Sequence, residues 1–299
     1  MITVIGSVNM DLIATTPRLP EPGETVIGTD FATAPGGKGA NQALAAQRAG
    51  ASVKMTGAVG DDAFATEALA LLDEAGADLT SVRRLDGPTG TALILVGGDG
   101  ENMIAVIPGA NGKVAASDAE QAVAAMSAGD TLLLQMEIPD AGIEIALKTA
   151  RAKEVLSVLN IAPLTDAVER LAPLADIVIA NETEFARLSG RPADTLEAAR
   201  KELSTLHAKT GQCMIVTLGG DGVLWAKDGT IEHVASLKIK PADTVGAGDT
   251  FCGYLAQGLD AGMDFAAAIH RAAVAGALAC LKPGAQPSIP LSSEVDARL

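Results

Sequence analysis

Short aliphatic runs recur along this chain with alanine-rich stretches between them, and that alternation is what most limits the folds open to it. "ITVIG", "SVKMTGAVG", "TLLLQME", "EVLSVLN", "DIVIAN" and "CMIVTLG" are each of strand length, while residues 39–49, 62–75 and 139–152 carry helical spacing. Strands this apolar need cover on both faces, and strand–helix–strand repetition supplies it. The expected class is therefore α/β, with a doubly wound, mostly parallel sheet flanked by helices. Ligands bind at the carboxyl ends of the strands in such sheets. The polar residues expected there are Asn9 and Asp11, Glu137, Asn181 with Glu184, and Thr217 with Gly219.

Two segments break the rhythm. Residues 15–37 and 83–110 contain prolines and glycines, and "TALILV" and "NMIAVI" flank "GGDGE" as the arms of a hairpin would. They read as a small β-sheet lid built from two insertions, leaving 1–14, 38–82 and 111–299 as the core. The free edges of a lid need covering, and two lids meeting face to face would do this in a symmetric homodimer.

Charge and cysteine usage narrow the partners. With 37 acidic against 22 basic side chains the formal charge is −15, without the basic surface that holds a nucleic-acid backbone. An anionic ligand would have to be bound locally, by backbone N–H groups and metal ions. Cys213, Cys252 and Cys280 show neither CxxC nor Cys/His spacing, so no disulfide framework or zinc site is expected. The first residues lack a signal peptide's basic flank and apolar core, and no apolar run reaches ~18 residues. A cytoplasmic protein without a membrane partner is expected.

The strongest local signal is "DTVGAGDTF", residues 243–251, which runs into a helix-compatible apolar segment. Gly246, Ala247 and Gly248 would present bare N–H groups at a helix start, which is a site for an anion. Asp249 on the first turn would be repelled by a phosphate there, and its plainer role is that of a partner to the helix dipole. Its functional role would be to take a proton from an attacking hydroxyl, while the anion hole neutralises a transferring phosphoryl group.

Other motifs fit the same chemistry, each with a plainer alternative. "PGGKGANQA" fails as a Walker A loop because Gly39 follows Lys38, and it reads as a ligand-approaching turn and helix start bearing Lys38 and Asn41, or as a simple cap. Asn9 and Asp11 share one face of an extended segment and suit vicinal hydroxyls, although such pairs also mark ordinary turns. Glu137 adds a third acceptor. "NETE" can cap a helix, or Asn181 and Glu184 can orient water around Mg²⁺ bound to phosphates. "TLGGDG" is a hairpin turn whose glycines also let main chain lie against a nucleotide. A GxGxxG fingerprint is absent, against a nicotinamide-dinucleotide enzyme.

Taken in order, "GSVNMD", "PGGKGANQA", "TGTALILV", "GENMI", "GAN", "LQMEIP", "NETE", "TLGGDG", "DTVGAGDTF" and "KPGAQPS" resemble the ribokinase family of carbohydrate kinases over nearly the whole chain. The resemblance implies ATP-dependent transfer of a γ-phosphate to the 5-hydroxyl of D-ribose. By position, Asn9, Asp11, Gly37, Lys38, Asn41 and Glu137 would hold the sugar, and Asp249 would be the base beside the hole at Gly246, Ala247 and Gly248. Asn181 and the turn Thr217, Leu218, Gly219, Gly220, Asp221 and Gly222 would bind the nucleotide, with Gly248, and Glu184 would reach Mg²⁺ through water. A potassium ion would sit among Asp243, Ser288 and the carbonyls of Val245, Ala279, Lys282 and Gly284. The chain departs from the family at Tyr254, where a small residue is usual, and at Gly246, where alanine is common. A family member acting on a nucleoside or another sugar is the alternative, and a non-catalytic sugar sensor a further one.

Overall fold

The computed structural model describes residues 1–299. In chain order the strands are β1 (Ile2–Ile5), β2 (Asn9–Thr15), β3 (Asp30–Gly36), β4 (Val53–Gly60), β5 (Asp78–Leu85), β6 (Gly90–Val96), β7 (Asn102–Ile107), β8 (Thr131–Leu134), β9 (Leu156–Asn160), β10 (Ile177–Asn181), β11 (Cys213–Thr217), β12 (Val223–Lys227) and β13 (Thr230–Val234). The helices are α1 (Lys38–Arg48), α2 (Phe64–Glu74), α3 (Ala116–Ala124), α4 (Asp140–Ala152), α5 (Val168–Leu171), α6 (Glu182–Ser189), α7 (Leu196–Thr210), α8 (Ala247–Asp260), α9 (Phe265–Ala279) and α10 (Ser292–Asp296).

Nine strands form one sheet in the order β13-β12-β11-β10-β9-β8-β1-β4-β5. Its pairs from β11 through β5 are parallel, and β12 and β13 add an antiparallel edge. Successive side chains of a strand point to opposite faces, and the register keeps each face apolar. Val4 lies beside Leu133 in one core, and Ile5 beside Leu134 in the other. Residues of α1, α2, α8 and α9 complete the first core, and those of α3, α4, α6 and α7 the second. The result is a three-layer α/β/α molecule. No helix is long and apolar enough to cross a membrane.

Four strands form a separate sheet, β3-β2-β6-β7, over one end of the main one. The boundary between the sheets differs from the expected one at both insertions. Residues 9–14, assigned to the core by sequence, lie on β2, which pairs with β3 and β6 in the small sheet. Residues 83–85, assigned to the lid, complete β5 beside β4. "NMDLIAT" follows "ITVIGSV" without a proline or a charged break, so nothing local marks the passage from one sheet to the other at Gly6–Val8. Its consequence is functional: Asn9 and Asp11 are carried by the lid.

The main sheet's order also places the site. β1 pairs with β4 on one side and β8 on the other, so the chain reverses its direction of winding there. The loops leaving the carboxyl ends of β1 and β8 separate and open a crevice.

Candidate active site

Side chains from both banks of the crevice meet across it. Ser7, just past β1, donates its hydroxyl to Glu137 Oε2 at 2.5 Å. The Lys38 backbone N–H donates to the same oxygen at 3.1 Å, and the Gly39 N–H to Ser7 Oγ at 3.3 Å. Glu137 thereby ties the start of α1, after its N-cap Gly37, to the ends of β1 and β8. On the lid side, Asn111 Nδ2 donates to Asn9 Oδ1 at 2.7 Å, while Asn111 also exchanges hydrogen bonds with the Val8 backbone. Asn9, Asn111 and Glu137 line a cavity of about 350 Å³ with Met136 and Val106.

The helix α8 supplies the opposite wall. Its N-cap Gly246 has φ 77°, and a Cβ there would lie 2.8 Å from Ala285 Cα, so this turn requires glycine. Helical packing then brings Asp249 to its partners. A Cβ at Gly253 would come within 2.5 Å of the Gln42 carbonyl oxygen, and this absent atom lets α1 approach closely. Asn41 Nδ2 donates to Asp249 Oδ2 at 2.9 Å and Gln42 Nε2 to Asp249 Oδ1 at 2.9 Å. Asp249 is 9% exposed, yet both of its oxygens are paired.

Around it the helix start is open. The N–H groups of Gly246, Gly248 and Asp249 have no acceptor within the chain, and a Cβ on Gly248 would meet no atom within 4 Å. Unpaired N–H groups at the positive end of a helix dipole, with space before them, are an anion site. Lys38, Asn160, Asn181, Glu184, Thr217, Gly246, Gly248 and Asp249 line one cavity of about 200 Å³. Seven of the residues proposed from sequence are thus brought together.

Electrostatics set limits on what this pocket accepts. Burial, followed by the charges of Glu137 and Asp249, pushes the Asp11 carboxyl up to about 6, although Lys38 opposes this. Burial also raises Glu184. Lys38 is pulled down by burial, but the charges of Asp249, Glu137 and Glu184 outweigh it and hold the ammonium above its ordinary value. A polyphosphate entering beside Glu184 and Asp249 needs cationic charge with it.

No three His, Cys, Asp or Glu side chains are grouped to hold a metal ion. A divalent ion would therefore depend on phosphate oxygens and water, and one acid suffices to meet it. Glu184 fits: Oε2 accepts from the Asn181 N–H at 2.9 Å, and Oε1 has no partner in the chain. Asn181 Oδ1 accepts from the Glu184 N–H at 2.8 Å, so the two form the capping box that the sequence allowed.

The cation set fits in part. Asp243 Oδ1 accepts from the Val245 N–H at 3.0 Å and Oδ2 from the Gly284 N–H at 2.8 Å, joining the two loops. The carbonyls of Val245, Lys282 and Gly284 accept no hydrogen bond within the chain, the supply of bare oxygens a monovalent cation needs. The Ala279 carbonyl already accepts from Lys282 N–H at 3.3 Å, and the buried Ser288 hydroxyl donates to the Ala285 carbonyl at 2.8 Å. The Lys282 side chain points to Glu294.

Other expected residues lie apart. Gly219–Asp221 form an exposed 3₁₀ turn between β11 and β12, capped by Leu218 and Gly222, and only the preceding Thr217 reaches the cavity. Tyr254 is wholly buried, with its hydroxyl on the Pro290 carbonyl at 2.9 Å, and stands clear of the cavity. Sequence reasoning missed Ser7, Gln42, Asn111, Gln135 and Asn160. Two of them stood within reach of it: Gln42 follows Asn41, and Asn160 ends a strand at the sheet's carboxyl edge.

The chain is similar to known carbohydrate kinases over nearly its whole length. The family model described as pfkB family carbohydrate kinase matches residues 1–291. A ribokinase of Lactococcus lactis is 38% identical over 300 residues, covering 100% of this chain and 96% of that one. A deoxyribokinase of Salmonella typhi is 34% identical, covering 97% and 95%. Among solved structures, the ribokinase of Arabidopsis thaliana complexed with ribose and ATP superposes with a TM-score of 0.88 at 31% identity, covering 99% and 97%.

Proposed function

Since the chain belongs to the pfkB family of carbohydrate kinases, we propose that it transfers the γ-phosphate of ATP to the 5-hydroxyl of D-ribose, giving ribose 5-phosphate. One observation carries this reading: a buried carboxylate, Asp249, stands on the first turn of α8 beside N–H groups that have no partner. The relative from Arabidopsis thaliana, bound to ribose and ATP, supports the choice of both substrates.

In this reading the sugar lies between lid and core, its hydroxyls taken by Asn9, Asp11, Gly37, Lys38, Asn41 and Glu137. Asp249 receives the proton of the primary hydroxyl as that oxygen attacks the phosphorus. The N–H groups of Gly246, Ala247 and Gly248 neutralise charge on the transferring group, and Ala247 can join them only by releasing its 3.3 Å bond to the Thr244 carbonyl. Asn181 and the turn Thr217–Gly222 hold the nucleotide. Glu184 would hold Mg²⁺ through water, and the ion would supply positive charge to the phosphates. A K⁺ ion among the loops at Asp243, Val245, Gly284 and Ser288 would fix the backbone preceding α8, with Lys282 and Ala279 adding carbonyls. Closure of the lid keeps water from the phosphate.

The outer lid offers a dimer contact. Phe31 and Met103, which the strand register puts on the face opposite Asn9 and Asp11, are each more than half exposed, and covering such a surface with a second copy of the chain is part of this reading. So is a cytoplasmic location, where ATP is available. A second reading, 2-deoxyribose as acceptor, is favoured by the deoxyribokinase at 34% identity.

ADP release with MgATP and K⁺ tests these alternatives across D-ribose, 2-deoxyribose, fructose and several nucleosides. Ribose is expected to turn over fastest, and faster in K⁺ than in a bulky cation. Another compound turning over while ribose is inert would move the acceptor assignment; no turnover with any compound would leave a sugar-binding sensor.

A further inference from the structure

Gln42 takes no part in the reaction as described, yet it is bonded to the base. It has no exposed surface, and its Nε2 reaches both Asp249 Oδ1 at 2.9 Å and Asn160 Oδ1 at 3.2 Å. An amide side chain can turn over and offer its oxygen instead, which would repel a carboxylate. Gln135 opposes this, because its Nε2 donates to Gln42 Oε1 at 2.7 Å. Gln135 is itself wholly buried, and its Oε1 lies 2.0 Å from where a Cβ on Gly6 would stand. The space left by Gly6 at the end of β1 thus seats Gln135, which orients Gln42, which holds Asp249.

The two oxygens of Asp249 differ in what could displace their donors. Oδ1 is held by a side chain that no ligand can touch. Oδ2 is held by Asn41, which is 6% exposed and whose own Oδ1 is buried without a donor. Asn41 Nδ2 also carries a second hydrogen that no acceptor in the chain takes, so Asn41 has hydrogen-bonding capacity to spare and can re-pair without disturbing Oδ1.

We propose that Gln42, oriented by Gln135, is a positioning residue for phosphoryl transfer, pinning Asp249 Oδ1 so that Oδ2 is the oxygen that accepts the sugar's proton. The proposal rests on the kinase reading above. In the step, the hydroxyl O–H bond breaks and its proton passes to Oδ2. The freed oxygen bonds to the γ-phosphorus, and the bond from that phosphorus to the bridging oxygen breaks, releasing ADP. Fixing one oxygen stops the carboxylate rotating about its last side-chain bond, and a small error in that angle is costly to a proton transfer.

The test is steady-state kinetics of the wild type, Gln42→Met, Gln135→Leu and the double variant. Methionine keeps the length of the side chain and removes its donors. Loss of one fixed orienting contact is expected to lower kcat on the order of 30-fold, with KM for sugar and ATP within about 3-fold. Gln135→Leu leaves Asp249 and its donors in place but frees Gln42 to turn, so its kcat is expected to fall about 5-fold, and nothing further is lost when it is added to Gln42→Met. Unchanged kcat in Gln42→Met, a raised KM alone, or independent effects in the double variant would overturn the proposal. If Gln42→Met does not fold, Gln135→Leu alone decides, wild-type kcat being the contrary result. A wild type without sugar-dependent turnover sinks the kinase reading itself, and the relay with it.

Discussion

Strands β7 and β8 follow one another in sequence and are both aliphatic, but every residue of Asn102–Ile107 is exposed and every residue of Thr131–Leu134 is buried. β8 lies mid-sheet between β1 and β9 with helices on both faces, whereas β7 is an edge whose one strand neighbour is β6. Apolar composition thus marks a strand without saying what covers it. The core sheet holds its neighbours by burial; the lid carries Asn9 and Asp11 on strands with far less buried surface, which fits the lid closure that the proposed function calls for.

The comparison breaks most visibly in stability. Leu133→Ala in β8 removes a wholly buried side chain from the core, and urea unfolding should show a loss of about 3 kcal/mol. Ile104→Ala in β7 should cost under ~1 kcal/mol in the monomer. Comparable losses at the two sites would remove the distinction between the sheets.

Asp11 sharpens it by showing a lid residue that acts against stability. Its carboxyl, at about 6 in the folded chain against an ordinary 3.8, binds its proton more tightly when folded. Stability is therefore lost as pH rises between those values, and the loss is complete above them. Asp11→Asn should stabilise the ligand-free protein by ~1–3 kcal/mol at pH 8, with no gain below pH ~3.5, while weakening sugar binding. Equal unfolding of both proteins at pH 8 would contradict this.

The smallest effect on the single chain is expected at the lid's outer surface. Met103→Ser with Phe31→Ser should leave monomer stability within ~0.5 kcal/mol. Sedimentation at micromolar concentration should nevertheless shift from dimer to monomer. A wild type that already sediments as a monomer would refute the lid contact.

What could be read from sequence was what local spacing encodes. Run lengths gave the layered α/β class, and "GGDGE" between two apolar arms became the turn joining β6 and β7. Asp249 and its neighbouring glycines were legible because helix start and acid lie within a few residues. Asn9 and Asp11 were placed on the wrong sheet, since the passage to the lid depends on pairing with β3 and β6. Gln42 and Gln135 were invisible as a relay: their partners stand 207 and 93 residues away, and a buried amide resembles any polar helix residue until packing brings its neighbours together.

The central claim is that Asp249 performs the proton transfer and does not build the pocket. Asp249→Asn keeps the shape and both amide neighbours, so it should retain its unfolding transition and bind sugar and nucleotide by calorimetry, while single-turnover phosphorylation of the sugar falls by at least ~10³-fold. Turnover near that of the wild type, or loss of sugar binding together with activity, would contradict the account.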